Sequence, residues 1–426
     1  MDVATNFRDA FNKLGLELLT KEDFRSYYVE RDDSPVLELK ERILMDDAPS
    51  KFLFTGLRAS GKTTELRRLM FMLENDYFVV YFSAIKELSL VDIDYKDVLL
   101  SMVLQTLRTI EEKNVEISQD IVNDMYDLLR QLSGEVVVSS VEKKTRRSSL
   151  GAKLHALVME IGGRYGSEIE TRREIRTKTE YLIQDVIQRF NLLIVEMQKK
   201  FGKPLITIVD DLEKADLALA EEIFYKHSYT LVQPQCKVVF TVPVSLIYAP
   251  CWKQVEMNFI TPPYVLPLKS VRTLKGGVDS NGVNFLKAIV KKRVSSELFE
   301  EEALTKLALW SGGVVVDFLR MVRDCCVKAQ ARNLKKIDLD LACEAFDSLM
   351  NDYWRPLKEE YYPKLVEIYE KKDARHIKND ESLRFLLYLL TVLEYDRERW
   401  YAVHPCIERI LFEKGLIKDK LRVNVC

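Results

Sequence analysis

The stretch Phe52-Leu53-Phe54-Thr55-Gly56-Leu57-Arg58-Ala59-Ser60-Gly61-Lys62-Thr63-Thr64 carries residue types that can hold a polyphosphate. Glycine, four residues, glycine, lysine and threonine follow one another at the spacing of a phosphate-binding loop. The glycines let the backbone bend so that its N–H groups face phosphate oxygens. A helix that starts at the same place adds partial positive charge. In this pattern Lys62 reaches the β- and γ-phosphates and the Thr63 hydroxyl binds Mg²⁺. Gly56, Ser60, Gly61 and Thr64 complete the candidate cradle for ATP.

A second chemical group lies far along the chain. Leu205 to Val209 is a continuous apolar run that ends in Asp210 and Asp211. Downstream of a phosphate loop, Asp210 is expected to hold Mg²⁺ through water. The plainer alternative is that one of these carboxylates caps the next helix. Residues 237 to 245, KVVFTVPVS, read as another buried strand carrying Thr241. That hydroxyl is a candidate sensor of the γ-phosphate; the alternative is a strand-end hydroxyl that satisfies backbone groups. No guanine-reading NKxD motif is evident, which favours adenine.

The elements that must position these groups follow from periodicity. Phe52-Leu53-Phe54 reads as a strand and Glu65 to Leu73 as a helix, the setting the loop motif requires. Tyr77 to Ser83 and residues 264 to 268 read as further strands. Helices are expected over Tyr95 to Glu112 and over residues 181 to 200. Apolar strands alternating with helices imply an α/β fold, a three-layer core around a parallel sheet. Its ligand lies at the carboxyl ends of the strands.

The expected organisation has four parts: an N-terminal segment (1–45), a P-loop core (46–275), an α-helical lid (276–356) and a C-terminal winged-helix-like domain (357–426). Within the core, residues 113 to 180 read as a helical basic insertion, partly flexible around 140 to 152. From Val141 to Glu180 there are ten Lys/Arg and six Asp/Glu. Gly312-Gly313 separates two lid helices. Trp400 to Val403 reads as a short strand, and His404-Pro405 as a turn or helix start.

Composition excludes several classes. The 426 residues are 47% hydrophobic and 31% charged, with a net charge of −2. The chain as a whole is therefore not a polycation that coats nucleic acid. No run of 18 apolar residues appears and the first residues lack a signal-peptide core, so no membrane span and a cytoplasmic setting are expected. Seven scattered cysteines, without a Cys-x-x-Cys pair, suggest reduced thiols. Four widely spaced histidines argue against a metal cluster built on imidazole.

These motifs resemble AAA+-related P-loop ATPases. Gly56–Thr63, Asp210-Asp211 with Glu213, Thr241 and Ser311-Gly312-Gly313 carry the resemblance. The STAND and archaeal-ATPase groups and the origin-recognition (Orc-like) proteins are the most similar. The resemblance implies ATP and Mg²⁺ as cofactors, and for many bacterial STAND-like ATPases a role in phage defence beside an effector. It also implies that Asp211 stands where many relatives have the glutamate that polarises the attacking water, one methylene shorter here. Where relatives often carry an arginine on the γ-phosphate, this chain has Val316, with Arg320 and Arg323 one and two helical turns on. Arg172, Arg173 and Arg176 are alternative arginine fingers, or a solvated basic face. Tyr28 and Arg31 precede the loop where relatives contact adenine.

The expected function is a slowly hydrolysing regulatory ATPase, with catalytic Lys62, Asp211 and Thr241 and metal ligands Thr63 and Asp210. Its nucleotide state, set between core and lid, would control a protein effector or self-association. The alternative is a DNA-binding ATPase that uses the C-terminal domain, with Arg397, Arg399, Arg409, Lys414, Lys418, Lys420 and Arg422 on phosphates. The interspersed Glu394, Asp396, Glu398, Glu408, Glu413 and Asp419 favour protein contact. A scaffold with a degenerate loop is disfavoured by intact Lys62, Thr63 and Asp210.

Overall fold

Apolar runs from five places in the chain form one sheet in the computed structural model, which describes residues 3–15, 19–145, 148–259, 262–395 and 400–418. Its strands are β1 (Lys51–Gly56), β2 (Phe78–Ser83), β3 (Leu205–Asp210), β4 (Lys237–Pro243) and β5 (Tyr264–Val265), in the order β2-β3-β4-β1-β5. β2 and β3 run parallel with Tyr81 opposite Ile208 and Ser83 opposite Asp210. β3 and β4 run parallel with Val209 opposite Phe240. Val238 N donates to Ser50 O, and the Thr55 hydroxyl to Val242 O at 2.8 Å, so β1 and β4 advance in the same direction. Every residue of β1, β3 and β4 is buried, which is why they read as unbroken apolar runs rather than as alternating ones. The fold is α/β, and the carboxyl edge of the sheet carries Thr55, Ser83, Asp210 and Thr241.

The chain forms two compact units: Pro35–Thr55 with Leu66–Tyr264, and Met1–Ser34 with Gly56–Glu65 and Val265–Cys426. The first holds the sheet. Its basic segment is helical: Gln119–Leu132, Glu135–Lys144, Leu150–Ser167 and Ile169–Tyr181. Met125, Leu128, Val141, Leu157, Ile161 and Ile175 from these helices join the core under β2 and helix Tyr95–Glu112. Residues 146 and 147, within the stretch expected to be partly flexible, lie outside the described residues. Val137 and Val141, then Leu154, Leu157, Val158 and Ile161, recur at helical spacing inside a charged stretch and are buried.

The second unit is built on helices Ser280–Lys291, Glu301–Trp310, Val315–Ala331 and Leu339–Trp354, with Phe7, Ala10 and Leu14 of the N-terminal segment in the same core. Helices Tyr362–Lys371 and Glu381–Tyr388 follow, then β6 (Val392–Tyr395) and β7 (Trp400–Val403). β6 and β7 pair antiparallel, with Tyr395 opposite Trp400. His404 caps helix Pro405–Glu413, its Nδ1 accepting from Cys406 N at 3.2 Å. Ser311-Gly312-Gly313 is a packing junction: a Cβ on Gly313, at φ +86°, would lie 2.0 Å from Lys269 O. The Tyr395 hydroxyl donates to Gly312 O at 2.5 Å.

Five cysteines, at 236, 251, 325, 326 and 406, are free thiols. Among the described residues, no helix is long and apolar enough to cross a membrane. Asp396, Arg397, Glu398, Arg399, Asp419, Lys420 and Arg422 lie outside the described residues.

Candidate nucleotide site

The phosphate loop takes a conformation that its residue types allow. Gly56, Ala59 and Gly61 have φ of +153°, +60° and +97°. A Cβ on Gly56 would stand 2.4 Å from Leu266 O, so only glycine fits there. The first i to i−4 bond of helix Lys62–Leu73 is Glu65 N to Gly61 O at 3.1 Å. The N–H groups of Gly61, Lys62, Thr63 and Thr64 thus precede any intrahelical acceptor, as an anion site at a helix start requires. Lys62 is buried, and its ammonium donates to Gly56 O at 3.1 Å and Leu57 O at 2.9 Å. The Ser60 hydroxyl is buried without a hydrogen-bond partner among the described residues. A buried donor left over inside such a loop fits a phosphate ligand.

Residues from elsewhere in the same unit brace this loop. Arg31 donates to Ser60 O at 2.8 Å and to Pro267 O at 2.6 Å, and pairs with Asp33 at 2.8 Å. The Tyr28 hydroxyl donates to Glu65 Oε1 at 2.8 Å, and Ser34 to Glu65 Oε2 at 2.5 Å. Arg31 and Tyr28 were expected on adenine; their polar groups are instead committed to the loop and its helix. A buried guanidinium must satisfy its donors, and loop carbonyls are the acceptors within reach. The guanidinium of Arg58, in the loop itself, lies 3.9 Å from the ring centroid of Tyr388.

In the sheet unit, the tip of β3 gathers acids. Ligand oxygens of Asp210, Asp211 and Glu213 all lie within 4.8 Å of one another, and all three residues are buried. Such a set of hard carboxylate oxygens fits Mg²⁺ or its coordinated waters. Asp210 Oδ1 accepts from the Asp211 N–H at 2.8 Å, and Oδ2 from the Tyr81 hydroxyl at 2.6 Å. Burial, and then the Asp210 carboxylate, push the Tyr81 phenol far above its ordinary range, so it remains a donor. Asp211 sits in the left-handed region at φ +69°. Its Oδ2 accepts from the Ser83 hydroxyl, and its Oδ1 pairs with Lys214 at 2.6 Å.

Thr241 is fully buried. Its hydroxyl accepts from Leu212 N at 2.9 Å and donates to Val209 O at 3.3 Å. The group expected to sense the γ-phosphate therefore holds the turn that follows β3. Tyr81 and Ser83 were not singled out in the sequence. Their signal is two polar residues, two apart, at the end of an otherwise apolar strand, which places both on one face.

The candidate arginine fingers do not survive as a set. Arg172 and Arg176 pair with Asp92 at 3.2 and 3.0 Å, and Arg176 also with Asp97 at 2.5 Å. Asp97 and Arg172 are buried, and the Tyr165 hydroxyl also donates to Asp97. Burial raises the Asp97 carboxyl against the pull of Arg176. The shared helical face of these arginines is directed at carboxylates of the same unit; Arg173 is exposed. In the other unit, Arg320 is exposed and faces Asp317 at 3.9 Å, and Arg323 lies 4.1 Å from the ring centroid of Phe11.

No family model matches the sequence, and no curated protein matches it. Among solved structures, the chain is similar to Cdc6p from Pyrobaculum aerophilum, at 11% identity over 96% of this chain and 98% of that one, with a TM-score of 0.44. It is similar to the ORC2 protein of Aeropyrum pernix, in ADPNP–ADP complexes, at 11% identity over 98% of this chain and all 100% of that one (TM-score 0.48). It is also similar to the Thermotoga maritima RuvB Holliday junction branch migration motor, at 11% identity over 95% of this chain and 99% of that one (TM-score 0.40).

Proposed function

We propose that this chain is an AAA+-related P-loop ATPase that binds ATP with Mg²⁺, hydrolyses it slowly, and uses its nucleotide state to govern association with a protein partner. The observation that carries the reading is the loop. Positive φ at Gly56, Ala59 and Gly61 turns the backbone into a helix start whose first N–H groups have no intrahelical acceptor. Lys62 already rests on the loop, and its ammonium exchanges the Gly56 and Leu57 carbonyls for phosphate oxygens. The Thr63 hydroxyl is the phosphate loop's candidate Mg²⁺ ligand, and Asp210 is that of the sheet unit. Bound Mg²⁺ supplies charge neutralisation on the β- and γ-oxygens.

Slow turnover is supported by the state of Asp211. Its carboxylate is already engaged by Ser83 and Lys214, which compete with a water for its oxygens. Val316 offers no cation, and the paired Arg172 and Arg176 supply none. Loss of a cation on the transferred phosphoryl group costs orders of magnitude in rate. Thr241 acts here by holding the turn after β3. The stacking of Arg58 on Tyr388 supports a switch, because it ties the phosphate loop to helix Glu381–Tyr388.

The partner is read as protein rather than DNA. Among the described basic residues of the C-terminal segment, Arg409 pairs with Glu413 and Lys414 with Glu359. The test is nucleotide binding and single-turnover ATP hydrolysis across protein concentrations, with Lys62→Ala and Asp211→Asn. Tight Mg²⁺-dependent binding, lost in Lys62→Ala, with slow turnover independent of concentration, is the expected result. Unchanged binding by Lys62→Ala would remove the site assignment. Turnover that climbs with concentration would replace the isolated slow enzyme by one completed by a second copy.

A further inference from the structure

One stretch of surface in the sheet unit is short of charge. Helix Ile183–Phe201 buries Val186, Phe190, Leu193 and Met197 in the core, yet it leaves Leu192 47% and Val195 59% exposed. Helical spacing puts Gln184, Gln188, Leu192 and Val195 on one face. The segment from Ser228 to Gln235 forms the facing wall, with Gln233 and with Tyr229, which is 75% exposed. Asn191 Oδ1 accepts from Gln235 N at 2.7 Å and ties the two walls together. Between them lies an open groove of about 530 Å³, with buried Ile187 in its lining. None of the nine residues that line it carries a charge, although 31% of the chain is charged, so neutrality is a property of the groove. The charges of the same helix are engaged elsewhere. Arg189 pairs with Asp185 at 3.0 Å and with Asp124 at 3.4 Å, and Glu196 accepts from Ser118 N at 3.1 Å.

Resting on the reading of a protein partner above, we infer that this groove docks an uncharged stretch of a partner polypeptide, its apolar side chains against Leu192 and Val195 and its backbone amides against the glutamines. Charge complementarity selects the occupant. A phosphate or carboxylate would lose water here and meet no opposite charge, which disfavours a nucleic-acid backbone or a lipid headgroup. Peptide N–H and C=O groups are neutral, and the amides of Gln184, Gln188 and Gln233 offer both an acceptor and donors to match them. Tyr229 adds a large ring with a polar tip, a residue type enriched where proteins bind. Size argues against a second copy of this chain. A stable interface takes about 20–30 residues a side, and nine line this groove. The groove also lies away from the acidic tip. Gln235 stands two residues before Lys237, which pairs with Ile206, and Asp210 is four residues further along β3. At about 3.3 Å per residue, the groove wall and Asp210 are roughly 20 Å apart along the strands. A docked segment therefore leaves the acids uncovered.

The test uses the full chain and a display library of random short peptides, selected on the wild-type protein and counter-selected on Leu192→Arg. Recovered peptides are synthesised with a fluorophore, and their binding is followed by anisotropy. The expected peptides are apolar and uncharged at their centre. Their affinity should fall about tenfold or more in Leu192→Arg and in Tyr229→Ala, and by a similar factor when a central peptide residue becomes lysine. It should change less than about twofold between low and high salt, since no ion pair forms. Lys62→Ala should bind the peptides as wild type does. Leu192 and Tyr229 are exposed, so the unfolding midpoints of both variants should match wild type. If Leu192→Arg does not fold, Val195→Lys takes its place. Recovery of no peptide that discriminates wild type from Leu192→Arg would overturn the inference, and with ATP binding intact the ATPase reading would stand. Peptides with charged centres would overturn it as well. A dimer in sedimentation that Leu192→Arg dissociates would overturn it in favour of a second copy. Peptide binding without ATP binding would keep the groove and reject the ATPase reading alone.

Discussion

The phosphate loop and the acidic tip of β3 reach their geometry by different routes. The loop bends because of its own residues: glycine stands at positions where φ is positive and where a Cβ would strike Leu266 O. The tip bends because of others. Its carboxylates accept hydrogen bonds from Tyr81 and Ser83, and the Tyr81 to Asp210 bond spans 129 positions of sequence. The loop is thus shaped locally, whereas the acidic tip is shaped by its neighbours in the sheet. The first should lose its bend when its own residues change, whatever its surroundings contribute to its stability; the second should lose its arrangement when its neighbours change.

Four substitutions can break or sharpen this contrast. Arg31→Met tests it most severely, because Arg31 is the main distant brace on the loop. It should cost about 3 kcal/mol in urea unfolding, since Ser60 O, Pro267 O and Asp33 all lose a buried charged donor. A cost near zero would mean the loop stands without help. Gly56→Ala should cost about 2–3 kcal/mol and abolish nucleotide binding, through the clash with Leu266 O; retained binding would show that the bend is not glycine's. Thr241→Val removes the acceptor of Leu212 N and should cost about 1–2 kcal/mol, while nucleotide affinity in EDTA holds. A selective loss of ATP over ADP affinity would instead return Thr241 to the role of sensor. Tyr388→Leu removes the ring under Arg58 and should cost only about 0.5–1 kcal/mol, with a changed ATP-to-ADP preference as its sharper readout.

What could be read from the sequence divides along the same line. Gly56, Gly61, Lys62 and the strand before them are visible because local conformation demands those residue types in that order. β3 and β4 are visible as unbroken apolar runs because both faces are covered. Arg31 was visible as a cation near the loop, but not its target, since a guanidinium serves a base, a carboxylate or two carbonyls equally well. Arg172 and Arg176 illustrate the same gap: their spacing gives a shared face, and only the fold shows Asp92 and Asp97 opposite it. The basic stretch from 113 to 180 hid its valines and leucines among charges, although their helical spacing was there to be counted. Tyr81 and Ser83 lay in a strand that reads as ordinary filling, because register between β2 and β3 is not written in either segment alone.

The left-handed backbone at Asp211, φ +69°, bears on which mutations this lineage can accept. Among side chains, asparagine and aspartate occupy that conformation most readily after glycine, whereas a longer carboxylate gains no such local compensation. Two codon steps that look alike on paper therefore lead to unequal outcomes. Exchange to asparagine or glycine keeps the turn and discards the acid. Exchange to glutamate keeps the acid and strains the turn. A longer carboxylate at this position would have to come with a remodelled turn between β3 and Lys214, and paired changes of that kind arise far less often than single ones.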